Sequence, residues 1–252
     1  MSQDALGAEI PVSGSQIGHY ESGRSVPSEA MADALDRILD AGGKLQDAAN
    51  TARGEAVAPW LRPWSENEER AISLRTWEHS IVPGLLQTEE YARSVFGTGW
   101  HSPDQAEEAV RTRLARQAAA LDRPEPVELT AIMGEVALRQ GEASIMKDQL
   151  EHLVDIGHRP NVHVRVMPIS AGMHAGIAGA FAIATLPDGS TVVYLDDLVE
   201  GKIGNRARDM RRAVTAWEGV CANTLPCEMS RDLILKAIDH HETELAQEQP
   251  KQ

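Results

Sequence analysis

The stretch Trp60–Phe96, WLRPWSENEERAISLRTWEHSIVPGLLQTEEYARSVF, divides the chain into two parts. Residues 71–78 mix apolar and polar positions in the manner of a half-buried strand. Val82-Pro83-Gly84 interrupts the chain, because proline disfavours a helical residue before it and glycine permits unusual backbone angles. Leu85 to Phe96 then has helical spacing, with Thr88 as a candidate N-cap. The residues predict a strand, a turn and a helix at the start of a larger folded body.

Composition is typical of a soluble globular protein: 252 residues, 42% hydrophobic and 25% charged. No apolar run approaches the ~20 residues of a membrane span, and the first residues do not form a signal peptide. The 2 cysteines have neither zinc-site nor redox-pair spacing, so we expect a cytoplasmic protein. The net charge of −14 disfavours broad, non-specific binding to nucleic acid but is compatible with a local basic face.

The N-terminal segment predicts short helices joined by a tight turn. Ser2 caps a helix that ends at Ile10, and Ser13 or Ser15 caps a second helix that Gly23 ends. Ser28 caps a third helix, and a fourth follows from Leu45 to Arg53. Two short helices across a tight turn form the helix-turn-helix arrangement, whose second helix enters the major groove of DNA.

The remainder of the chain predicts a mixed α/β body. Alternating or continuous apolar residues indicate strands at 127–133, 161–167, 181–186 and 191–195, the last two joined by a hairpin turn. Apolar stripes indicate helices that begin at Ser102-Pro103, run from Ile145 to Gly157, and include Met210–Cys221 and Leu233–Ile238. The fold class is therefore α+β, with a small all-α N-terminal domain before a mixed α/β domain.

A longer motif carries a resemblance. Ser73–Glu78 followed by Ile81–Arg93, SLRTWE and IVPGLLQTEEYAR, resembles the signature of a large bacterial regulator family. Members of that family have an XRE-type, λ-repressor-like helix-turn-helix at the N-terminus and a C-terminal domain of poorly defined role. The resemblance implies an antitoxin-like regulator that binds double-stranded DNA, and we expect a homodimer because one recognition helix reads only a half-site. It also implies a small partner protein or a small-molecule effector.

The same resemblance implies a set of DNA-contacting residues. Gln3 occupies a phosphate-contacting position, and the exposed face of the second helix carries Ser13, Ser15, Gln16 and His19. Gln can pair with adenine and Ser with either kind of partner.

Arg24 belongs to the segment that leaves this helix. The sequence departs from the family pattern at Pro11 and His19, and the first helix of the family pattern has no counterpart in it. Residues 1–58 contain more acidic than basic side chains, so a module used only for packing or dimerisation is the alternative.

No catalytic motif, metal-ligand spacing or cofactor-binding loop is predicted in the second part. The candidate binding residues are Trp77, which could stack on a ligand, and His174 in the small-residue loop 172–176, with Tyr194, Asp196 and Asp197 beside it. The alternatives are a core tryptophan and an ordinary surface histidine. Arg111, Arg113, Arg116 and Arg123 are expected to form a solvated helix face.

These observations give four segments: a helix-turn-helix domain at 1–53, a linker at 54–59, a sensing or partner-binding domain at 60–241 and a polar tail at 242–252. The predicted function is transcriptional regulation through DNA binding, with no cofactor and no membrane partner. The alternative is a repurposed family member that acts as a small-molecule binder or enzyme through a C-terminal pocket.

Overall fold

The computed structural model describes residues 2–22, 24–52, 61–98, 102–196, 201–204 and 206–248. The chain divides into two compact units, Met1–Pro59 and Trp60–Gln252. Each unit is described by itself. No helix among the described residues is both long and apolar enough to cross a membrane.

The first unit is all helical. Its helices are α1 (Gln3–Glu9), α2 (Gly14–Glu21), α3 (Glu29–Leu39) and α4 (Lys44–Ala52). Three serines cap the first three helices as the sequence predicts: Ser2 accepts from the Ala5 N–H, Ser13 from Gln16, and Ser28 from Met31. The predicted stop at Gly23 lies outside the described residues.

A small apolar cluster holds this unit together. It is built on Leu6, Ile10, Ile17 and Leu35. Gly7 permits the close approach of α1 to α2, because a Cβ atom there would lie 2.8 Å from the Val12 carbonyl oxygen. The two short helices predicted for this segment are therefore present, and they pack closely on each other.

The second unit is built on one six-stranded sheet of order β3-β2-β1-β4-β5-β6. The strands are β1 (Ser73–Glu78), β2 (Glu128–Gly134), β3 (Val162–Met167), β4 (Phe181–Thr185), β5 (Thr191–Leu195) and β6 (Lys202–Gly204). β1 pairs in parallel with β2, and β2 with β3, whereas β4, β5 and β6 are antiparallel to their neighbours. The sheet therefore mixes parallel and antiparallel strands, and together with its helices it confirms the predicted α/β domain.

Helices cover both faces of this sheet. They are α5 (Arg62–Arg70), α6 (Glu89–Gly97), α7 (Pro103–Leu121), α8 (Ala143–Ile156), α9 (Ala207–Asn223) and α10 (Cys227–Glu248). The larger apolar core contains side chains from α5, α6, α7, α8 and α10. The smaller core, on the opposite face, contains Trp77, Phe181 and Trp217, the last from α9. Successive residues of β1 and β5 alternate between the two cores, because strand side chains alternate in direction.

The structure corrects two local predictions and adds two elements. The helix predicted from Leu85 begins at Glu89, after the Thr88 cap, and Gly84–Leu86 forms a separate 3₁₀ turn. Helix α5 and strand β6 were not predicted. Helix α10 continues through Glu248, into the predicted polar tail, because buried His241 bonds to the Leu138 carbonyl and to Glu244.

Candidate functional site

The helix-turn-helix presents only part of its predicted DNA-contacting set to solvent. Ser13, Ser15 and Arg24 are exposed. Gln16 and His19 are half-buried, and the Gln16 amide donates to the Ser25 hydroxyl at 2.9 Å.

Gln3 is also engaged within the unit. Its amide donates to the Glu21 carboxylate at 2.6 Å, which places a negative charge beside the residue expected to meet phosphate. Contact of either glutamine with DNA therefore requires these internal bonds to exchange for bonds to DNA.

A crevice lies in the second unit where the parallel strands β1, β2 and β3 end. Its volume is about 290 Å³. Trp77 is buried at its wall and donates a hydrogen bond from its indole N–H to the Gly176 carbonyl at 2.8 Å. Exposed Ile169 and Ile177 contribute apolar surface at the opening. The carboxyl ends of parallel strands are a common location of ligand sites in α/β proteins.

His174 joins Trp77 in this crevice. Its ring meets the indole edge-on, with 5.3 Å between ring centroids. The His174 Nδ1 accepts a hydrogen bond from the Gly176 N–H at 3.1 Å, so the neutral ring carries its proton on Nε2. The single N–H donor of the ring, on Nε2, thus stays available for a ligand. Gly176 has no space for a side chain, because a Cβ atom would lie 2.6 Å from the Trp77 ring.

Tyr194 and Asp196 are not part of the crevice. Tyr194 belongs to the larger core on the other face of the sheet, where its ring stacks on Trp64 at 5.2 Å. Its hydroxyl bonds to Asp196. The predicted set therefore separates into two pairs, Trp77 with His174 and Tyr194 with Asp196. Across the sheet Tyr194 is in register with Thr76, and successive residues of a strand face opposite ways, so Trp77 faces the other side. Asp197 lies outside the described residues.

The second pair belongs to a charged cluster that sequence reasoning missed. We use this name for Glu68, Glu78, Arg113, Arg116, Tyr194 and Asp196. Arg116 forms a two-point ion pair with buried Glu68, at 2.8 and 2.9 Å, and the Trp64 indole donates to the same carboxylate. The expectation that the α7 arginines form a solvated face is therefore wrong for Arg113 and Arg116, whose partners come from distant parts of the chain.

Burial dominates the electrostatics of this cluster. The pKa of Glu78 is raised to about 8, first by burial and second by Asp196, while Arg113 acts in the opposite direction. Burial lowers the pKa of Arg113 to about 10, and the neighbouring Arg116 acts in the same direction. The pKa of the Tyr194 hydroxyl is raised by burial and by Asp196. Strongly shifted groups that share one location are typical of functional sites.

Neither location resembles a metal centre. Within the described part of the chain, no three His, Cys, Asp or Glu side chains gather as metal ligands. The sequence signal for the charged cluster was the position of Glu78 at the end of a strand that ends in a turn, together with Arg113 and Arg116 one helical turn apart. That signal does not indicate which side chains meet.

Comparison with family models gives two matches. Residues 1–49 match a helix-turn-helix domain, and residues 61–236 match a domain of unknown function, DUF5753. The comparisons with curated proteins and with solved structures give no match. The second model spans more than half of the chain, so the protein belongs to the DUF5753 family and carries a helix-turn-helix domain at its N-terminus.

Proposed function

We propose that this protein is a cytoplasmic, XRE-type transcriptional regulator that binds a specific DNA sequence as a homodimer and responds to an effector or a small partner protein. The observation that supports it best is the capped helix α2, packed closely on α1 across a tight turn, within a region that matches a helix-turn-helix domain. One recognition helix reads only a half-site, so a dimer is the expected form on DNA.

The DNA-contacting surface that we propose contains side chains that are already exposed and one, Gln16, that must first leave its internal hydrogen bond. Ser13, Ser15 and Arg24 are exposed and ready for contact. Gln16 becomes available when its bond to Ser25 is exchanged for bonds to a base edge. This exchange costs little, because a typical hydrogen bond contributes only about 0.5–1.5 kcal/mol net.

The test is selection of a binding sequence from a random duplex pool by the full chain. We expect one enriched palindromic sequence. Gln16→Ala should then reduce discrimination at one base pair by about 1–3 kcal/mol. Ser25→Ala removes the internal partner of Gln16, so it should preserve that discrimination. Enrichment of no sequence would refute the regulator function.

Arg24 offers a separate measurement. Arg24→Gln should weaken binding about equally for all sequences and reduce the salt dependence of log K by about 1. Arg37→Gln is the matched control, because Arg37 is an exposed arginine on α3 whose guanidinium donates to the Asp33 carbonyl. An equal effect of the two substitutions would show that Arg24 acts only through net charge.

We place the effector or partner at the crevice around Trp77 and His174. Its apolar opening and the available Nε2–H donor of the His174 ring support this location. His174→Ala should retain the melting temperature and DNA affinity of the wild type. It should lose the change in DNA affinity that the low-molecular-weight fraction of a cell extract produces. A response that is unchanged in His174→Ala would exclude the crevice.

A further inference from the structure

Two side chains in the charged cluster, Glu78 and Arg113, have unused hydrogen-bonding capacity. Glu78 ends β1 on the face that also carries Leu74, toward α7. Among the described residues its carboxylate accepts no hydrogen bond, and Arg113 donates only one, from Nη1 to the Gln87 side chain at 2.8 Å. The guanidinium and this carboxylate lie more than 4.0 Å apart, so they do not form an ion pair with each other.

These unused groups are not sealed from solvent. Within the described chain, every fully buried side-chain nitrogen or oxygen has a hydrogen-bond partner. Glu78 and Arg113 are only half-buried. Their unused donors and acceptors therefore face solvent-accessible space rather than packed protein.

The neighbouring charges are already engaged with one another. Arg116 is paired with Glu68, and Asp196 bonds to the Tyr194 hydroxyl. The Arg113 guanidinium lies over the Phe96 ring, 4.9 Å from its centroid, which fixes its plane. One cation and one carboxylate are thus held close together on rigid elements, each able to accept a partner.

We propose that Arg113 and Glu78 bind a small zwitterion, a molecule that carries a carboxylate and a protonated amine as a free amino acid does. The guanidinium is suited to a carboxylate because its planar fork donates two parallel hydrogen bonds. The Glu78 carboxylate is suited to the ammonium group. A ligand with both charges supplies a direct partner to the Arg113 cation and to Glu78, which ionises on binding.

Proton release gives this binding a distinctive signature. Because the pKa of Glu78 is about 8, its carboxyl group is largely protonated at pH 7 before the ligand arrives. An ammonium group favours the ionised form, so binding at pH 7 releases a proton. Affinity should therefore rise between pH 6 and pH 8. The charged or titratable groups around Glu78 on the packed elements are Glu68, Tyr91, Arg113, Arg116, Tyr194 and Asp196.

The experiment titrates the full chain by calorimetry with the twenty free amino acids, one at a time. The best of them is then compared with its N-acetyl derivative, its amide and acetate. We expect each blocked derivative to bind about 10–100-fold more weakly, because each lacks one charged hydrogen-bonding group. Binding at pH 7 in buffers of different ionisation enthalpy should show the released proton.

Substitutions of the two proposed binding residues, with a control on the same helix, test where the ligand binds. Arg113→Gln and Glu78→Gln should each lose binding by a similar factor, whereas Arg111→Gln, an exposed arginine on the same helix, should bind as the wild type does. Glu78→Gln is expected to fold, since it resembles the protonated carboxyl group, and it keeps the test valid if Arg113→Gln unfolds.

Three results would overturn the proposal: no free amino acid binds, acetate binds as well as the best amino acid, or Glu78→Gln retains full affinity. DNA selection by the first unit does not enter these measurements, so failure here leaves the proposed regulator function intact.

Discussion

Trp77 and Glu78 are adjacent in the chain but belong to two very different environments. Trp77 faces the smaller core, where its only polar atom is bonded to Gly176 and its ring is covered by apolar and aromatic neighbours. Glu78 faces α7 on the opposite side, among two arginines and two further carboxylates. One face of the strand end is an apolar crevice, and the other is a charged cluster.

The contrast shows how one strand can serve two sites. Alternation of side chains sends successive residues to opposite faces without any change of backbone. The crevice is stabilised by packing and one neutral hydrogen bond, whereas the charged cluster depends on ion pairing in a region of low dielectric constant. Substitutions on the two faces should therefore change the free energy of unfolding by different amounts and with a different dependence on pH.

The largest effect is expected in the charged cluster. Arg116→Ala leaves Glu68 buried without its cation, which should destabilise the protein by about 3–5 kcal/mol. Arg111→Ala is the control, because its pair with Glu108 is exposed and should contribute only about 0–1 kcal/mol. Chemical denaturation of both variants measures the difference. Equal stabilities would show that the Glu68 pair contributes nothing beyond a surface pair.

Apolar packing near the same cluster should have a comparable but smaller effect. Leu86 is fully buried, so Leu86→Ala should cost about 2–5 kcal/mol through lost transfer free energy and a cavity. The exposed Leu235 supplies the control, and Leu235→Ala should change stability by less than about 0.5 kcal/mol. An unchanged melting temperature for Leu86→Ala would place that turn outside the core.

On the crevice face, the prediction concerns steric overlap between a new side chain and the Trp77 ring. A Cβ atom at Gly176 would meet the Trp77 ring, so Gly176→Ala should destabilise by about 1–3 kcal/mol and alter tryptophan fluorescence. Gly97→Ala, where the added carbon meets nothing within 4 Å, should be neutral or slightly stabilising. A fluorescence spectrum identical to that of the wild type in Gly176→Ala would contradict the close contact.

Counted per pH unit, the smallest effect is a pH dependence confined to the charged side. The pKa of Glu78 is raised from 4.5 to about 8, so its contribution to stability is present below pH 4.5 and is lost as pH rises to about 8. The slope from this group is at most about 1.4 kcal/mol per pH unit. Glu78→Gln should flatten the stability profile between pH 5 and pH 8. A slope retained in this variant would assign it to another group.

Local features of the fold were accessible to sequence reasoning. Serine and threonine caps at Ser13, Ser28 and Thr88 act over three residues, so their pattern is visible in the chain. The five predicted strands follow from alternation or apolar runs. Helix α5 was missed because its polar sequence, RPWSENEER, has a single apolar anchor at Trp64, which is buried only by contacts with other elements.

Only some features of the two sites could be predicted from the sequence. Trp77 and His174 were singled out separately, and the structure brings them together through a contact that spans almost 100 residues. Tyr194 was grouped with His174 because both lie near small-residue loops, but its strand position directs it to the other face. The role of Arg113 and Arg116 was mistaken, because a polar helix face reads the same in sequence whether it meets water or buried carboxylates.

The sequence by itself determined the helix caps, five of the six described strands and the two-part organisation, because these depend on interactions between residues a few positions apart. Only the tertiary structure decided that Trp77 meets His174 and that Arg116 meets Glu68, 48 residues away. Such contacts depend on how the sheet orders its strands and which helix covers which face. Those choices minimise the free energy of the whole fold and are not encoded in any single segment.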